Sequence, residues 1–134
     1  MIKRTVGILI AFGFIAGVSL SAHHSLAGAY ALGKEAKVTG TFTAFRLVNP
    51  HSNLKLEVKG ADGVVKEWSI TGGSVTSLAK FGIGRSTDGP NALKVGDEIT
   101  VTYTPAADGH SPIGLLVAIT YKDGHTVRFR SPDE

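Results

Sequence analysis

Apolar and polar residues alternate along much of this chain with a period of two. The cleanest stretch is residues 53–59, where Leu54, Leu56 and Val58 interleave with Asn53, Lys55, Glu57 and Lys59. Such alternation predicts a half-buried strand. Before it, Val38, Phe42 and Ala44 alternate with Thr39, Thr41 and Thr43, and the apolar parity then switches to Phe45 and Leu47. A bulge or strong coil in a long first strand, over 37–48, explains the switch. Asn49-Pro50 ends that strand, because proline has no N–H for a ladder. Asp62-Gly63 is a hairpin turn signal. The strand after it sets Lys66, Trp68 and Ile70 on one face and Glu67, Ser69 and Thr71 on the other. Trp68 therefore reads as a core or half-buried residue rather than a ligand platform.

The period changes once. Val75, Leu78 and Ala79 follow at helical spacing, with Ser74 as N-cap and Gly82 as the residue past the C-terminus. A polar loop through Asp88-Gly89-Pro90 leads to a strand with Ile99, Val101 and Tyr103 on one face and Thr100, Thr102 and Thr104 on the other. Residues 115–121 are almost continuously apolar, which predicts a strand covered on both faces. Asp123-Gly124 turns into a short last strand over 125–130. Three strands, a helix, then two or three strands is the order of an OB-fold-like barrel of five to six strands. The expected class is all-β with one short helix, and a small sandwich is the competing arrangement.

The first 22 residues stand apart. Lys3 and Arg4 precede an uncharged apolar run over 6–20, and Ser19, Ser21 and Ala22 supply small residues for cleavage. This is the pattern of a secretory signal. The run is shorter than the roughly 20 residues that span a bilayer, so an uncleaved tether is the weaker reading. Cleavage is expected after Ser21 or Ala22, followed by an arm over 23–36 and a barrel domain over 37–134. The expected location is the periplasm, with no stable membrane insertion once the signal is removed and a monomeric state. Loss of Lys3 and Arg4 lowers the net charge from +3 to about +1. A nearly balanced charge and few aromatics on exposed parity argue against nucleic acid. Cysteine is absent, which removes thiolate metal sites and thiol catalysis.

Histidine carries the remaining chemistry, at positions 23, 24, 51, 110 and 125. Cleavage after Ser21 would expose Ala22-His23-His24, whose amine, two backbone amides and third-position imidazole form a square-planar nitrogen set. Cleavage after Ala22 would leave His23 first. Its amine and ring could then chelate one ion, with His51 completing the site. Both sets point to copper(II). His23, His24 and His51 are the candidate ligands; Asn49-Pro50-His51 also reads as a simple turn, His110 reads as an exposed loop residue, and His125 has no assigned role. No Ser-His-acid arrangement or catalytic carboxylate pair stands out, so an enzyme is not expected.

Ala22-His23-His24-Ser25 behind a signal, Gly40-Thr41, Asn49-Pro50-His51, Trp68 followed by Gly73-Ser74, and Leu93-Lys94-Val95-Gly96-Asp97-Glu98 occur here in one order. The set resembles a family of small exported bacterial proteins catalogued as domain of unknown function 6152. It covers nearly all of the chain after the signal. The resemblance implies a periplasmic single-domain protein and supplies no activity. His23, His24 and His51 match its pattern. Ser52-Asn53-Leu54, Ala31 and Ile83 depart from it, the loop after the helix is longer, and His110 has no counterpart. The functional expectation is a small periplasmic binding module holding copper(II). The alternative is an envelope protein-interaction module without metal, using the barrel face or a strand edge.

Overall fold

The protein is described by a computed structural model covering residues 28–86 and 88–130. The expected signal over residues 1–22, and His23 and His24, lie outside the described residues. The strands are β1 (Ala36–Arg46), β2 (Asn53–Lys59), β3 (Val65–Thr71), β4 (Glu98–Pro105), β5 (Ile113–Thr120) and β6 (Thr126–Arg128), with helix α1 (Val75–Ala79) between β3 and β4. They hydrogen-bond in the order β3-β2-β1-β4-β5-β6, and β3 also pairs with β5. That last pairing is parallel, joining Ser69 to Ile113 and Thr71 to Leu115. It closes five strands into a barrel and leaves β6 attached to β5. The architecture is OB-fold-like, mostly β with one short helix, as the strand order predicts.

β1 serves two neighbours. Its first half, Ala36 to Thr41, pairs with β4. Its second half, Thr41 to Arg46, pairs with β2, and the register slips between Phe42 and Ala44. This is the bulge that the parity switch predicts. Two glycines allow it. A Cβ on Gly40 would lie 2.6 Å from the Glu57 carbonyl oxygen and 2.9 Å from Val58 Cγ2, so only glycine lets β1 and β2 approach so closely. Gly96 takes a φ of +97° in the turn before β4. Its N–H donates to the Phe42 carbonyl (2.9 Å), and the Phe42 N–H donates to the Asp97 carbonyl (2.8 Å). The Lys94 N–H donates to Asp97 Oδ2 (2.8 Å), which holds that turn shut.

The barrel is filled by Leu54, Leu56, Ile70, Ile99, Val101 and Ile119, all essentially inaccessible to solvent. Fully burying each such side chain stabilises by about 1.5–3 kcal/mol. β5 is buried from Gly114 to Ile119, matching its unbroken apolar sequence. Trp68 is half-buried and meets Tyr103 edge to face, with centroids 5.2 Å apart. α1 plugs one end through the buried Leu78. Ser74 Oγ accepts from the Ser77 N–H (3.1 Å). At the other end the Gly82 N–H donates to Ala79 O (3.0 Å) and the Ile83 N–H to Leu78 O (3.2 Å). This is a Schellman motif, and its usual apolar contact is supplied by the buried Leu78 and Ile83. Among the described residues, no helix is long and apolar enough to cross a membrane.

Substituting Gly40→Ala is expected to cost about 1–3 kcal/mol of stability, because the new methyl must displace backbone. Urea unfolding checks this. A midpoint equal to that of the parent would mean that β1 and β2 separate there without penalty.

Candidate functional site

The connection between β1 and β2 carries His51, and its backbone is fastened at several points. Ser52 is completely buried. Its N–H donates to Gly73 O (3.0 Å), and its carbonyl accepts from the Gly72 N–H (2.7 Å). Its hydroxyl donates to Val48 O (3.2 Å). Asn49, joined to Pro50 by a cis peptide, reaches across to α1, where its Oδ1 accepts from the Val75 N–H (3.0 Å). Asn49 and Ser74 thus satisfy two of the orphan donors at the start of α1. The turn reading of Asn49-Pro50 is incomplete, since Asn49 is a capping residue supplied from a distant loop. His51 projects from this fastened loop, exposed to solvent. Among the described residues its imidazole has no hydrogen-bond partner.

The arm ahead of β1 is attached at the start of the β4–β5 loop. Tyr30 bridges to Ala106. The Ala31 N–H donates to Pro105 O and the Ala107 N–H to Ala29 O, both at 2.9 Å. The β4–β5 loop beyond Ala107 is built around Asp108. Its Oδ1 accepts from the backbone N–H groups of His110 (3.0 Å) and Ser111 (2.9 Å), and its Oδ2 accepts from the Ser111 hydroxyl. The Ser111 side-chain bond, followed by the two backbone bonds, lowers the Asp108 carboxyl to about 2. His110 itself is exposed. Among the described residues, no group of three or more His, Cys, Asp or Glu is arranged to hold a metal ion.

The histidine with no assigned role, His125, lies in a polar cluster with Asp123, Asn91 and Tyr121. His125 Nδ1 is 2.5 Å from Asp123 Oδ1 and Nε2 is 3.0 Å from Asn91 Oδ1. Its ring stacks on Tyr121, with centroids 4.2 Å apart and planes within 5°. The Tyr121 hydroxyl donates to Asn91 O (2.8 Å). Asp123-Gly124-His125 gives a local hint of the acid–imidazole pair. Nothing in the sequence links it to Asn91.

The match to the family of unknown function DUF6152 runs over residues 14–115. The chain belongs to this family. No curated protein and no solved structure matches it. The DUF6152 span takes in His23, His24, His51 and His110, and it ends inside β5. Within the ordered motifs, Gly40, Asn49, Ser74, Gly96 and Asp97 each perform a visible structural task. His51, like the exposed Val95, is a motif residue for which the described structure offers none.

Two outcomes follow for this region. Removing the Asn49 carboxamide with Asn49→Ala should cost about 1 kcal/mol and raise hydrogen exchange at Val75; an unchanged Val75 amide would remove the capping role. Burial, with Asp97 second, pushes the Tyr121 hydroxyl up to about 12, and burial also raises Tyr103. A raised folded-state value stabilises fully below the ordinary value of about 10 and is lost as pH climbs from there towards about 12. An absorbance titration should contain a late phenolate component that Tyr121→Phe reduces, leaving the part that belongs to Tyr103. Appearance of the Tyr121 part near pH 10 would contradict the burial of this hydroxyl.

Proposed function

We propose that this protein is a small exported, periplasmic binding module that takes copper(II) through His23 or His24 at its mature amino terminus and through His51 on the barrel. One observation carries the reading: His51 is a solvent-facing imidazole without a partner among the described residues, on a loop whose flanking residues are tied to α1 and to the exit of β3. A ligand held on fixed backbone loses little freedom on binding. Imidazole and amine nitrogens are the donors that copper(II) prefers. The terminal histidines are required because His51 stands without a metal-binding cluster among the described residues. His24 is six residues from Tyr30, the residue attached to Ala106. A chain of that length spans up to about 20 Å, which permits approach to the barrel face. The role is binding rather than catalysis.

A specific feature favours the rival reading as a protein-interaction module. Val64 and Val65 are 51% and 55% exposed, and β3 pairs with β5 only from Ser69 onward. The start of β3 therefore presents exposed apolar side chains beside a strand edge free of β5, which suits strand addition.

Copper titration of exported protein, after intact-mass analysis of its terminus, separates the two. Copper(II) should bind in the visible and electron-spin-resonance spectra, and binding should weaken on acidification through the histidine range. His51→Ala should weaken it about tenfold or more. Failure of the authentic terminus to bind copper removes the metal reading. Crosslinking to an envelope protein that ignores His23→Ala, His24→Ala and His51→Ala would install the rival.

A further inference from the structure

The surroundings of His125 specify its protonation. Asn91 Nδ2 donates to the Phe81 carbonyl oxygen at 2.7 Å. A carbonyl oxygen only accepts, so the orientation of the carboxamide is set, and its oxygen is the atom facing His125 Nε2. On the other side of the ring stands Asp123. Its carboxyl is lowered by the His125 backbone N–H first and by the His125 ring second. It is ionised and also only accepts. Both ring nitrogens therefore face acceptors and both need a hydrogen, so the cluster is complete only with an imidazolium.

We propose that His125 is the catch of a proton-operated latch holding the β5–β6 turn against the connection from α1 to β4. With the ring doubly protonated, Nδ1 donates to Asp123 and Nε2 to Asn91 Oδ1. When one proton leaves, the remaining hydrogen stays at Nδ1, because a carboxylate is a stronger acceptor than an amide oxygen. Nε2 and Asn91 Oδ1 then face each other as two acceptors, and that bond is lost. The Tyr121 hydroxyl, kept protonated by its raised value, still donates to the Asn91 backbone. Tyr121 is thus a pin that pH leaves in place, and His125 is the part that lets go. Asp97, Glu98, Tyr121, Lys122 and Asp123 share the cleft with the ring and set the field it feels.

Asn91 also lines a groove of about 260 Å³ with Phe42, Phe45, Leu47, Ile83 and Leu93. Loss of the His125 bond leaves the Asn91 carboxamide held by Phe81 alone and so loosens one wall of that groove. The latch uses none of the proposed copper ligands, and Tyr121, Asp123 and His125 all lie beyond the stretch matched to the family.

Nitrogen-15 NMR of the full chain between about pH 5 and about pH 8 tests the latch across the histidine range. At the acid end both His125 ring nitrogens should show imidazolium shifts. On titration Nε2 should move to the unprotonated range, and exchange of the Asn91 side-chain amide should quicken about tenfold beyond its intrinsic pH dependence, the loss of one charge-assisted bond. His125→Phe, which keeps the stack on Tyr121, should show fast Asn91 exchange after the same correction at every pH. A single neutral tautomer throughout, or corrected Asn91 exchange that does not change while the ring titrates, would overturn the proposal. The titration of the parent chain decides the matter even if the variant does not fold.

Discussion

Everything in this barrel depends on one strand changing partners. β1 cannot lie flat against β4 and β2 at once, so it coils, and the coil is concentrated between Gly40 and Ala44. Gly40 removes the Cβ that would strike β2, and the bulge at Thr43 re-aims the residues after it. The turn at Gly96-Asp97 then takes both backbone groups of Phe42. Both backbone groups of Phe42 are thus paired where the strand leaves β4, which is the condition a tight bend must meet. The ordered motifs of the chain fall largely on this bend and on the cap of α1, so much of what looks like a signature of function is a signature of shape.

The same economy gives His51 its setting. Ser52 is drawn inside, Asn49 is spent on α1, and both hold the residues on either side of His51. The imidazole is left at the surface with fixed backbone beneath it. That combination differs from the β4–β5 loop. There Asp108 turns its acceptors inward on its own loop, and His110 is carried on a locally bonded turn.

Local patterns in the sequence reached far into the fold. The alternation of Leu54, Leu56 and Val58, the parity switch after Ala44 and the Ser74 and Gly82 caps are each written within a few residues, and each appears in the structure. The strand order was enough for the barrel, because few closed topologies place one helix between a third and a fourth strand. What stayed hidden were contacts between residues distant in sequence. Asn49 looked like a turn residue because its partner, Val75, belongs to another element. His125 looked idle because Asn91 and Tyr121 become its neighbours only when β5 and the long connection are packed together. For His23 and His24 the reading rests on sequence, since they lie outside the described residues.

Closure of the barrel has a kinetic side. The parallel contact between β3 and β5 joins Ser69, Ile70 and Thr71 to Ile113, Gly114 and Leu115. Between these partners lie α1, the long connection and all of β4. The β1–β2–β3 meander needs only short loops to form, whereas this seam must bring distant segments together before any contact rewards it. On its other side β5 already lies tight against β4, where a Cβ at Gly114 would fall 2.4 Å from the Tyr103 ring. Loop-closure entropy therefore favours the meander as the first part to form and the seam as the last. Until it closes, the edge of β3 stays open to other chains, which makes the last step of folding also the interval of greatest risk for mispairing.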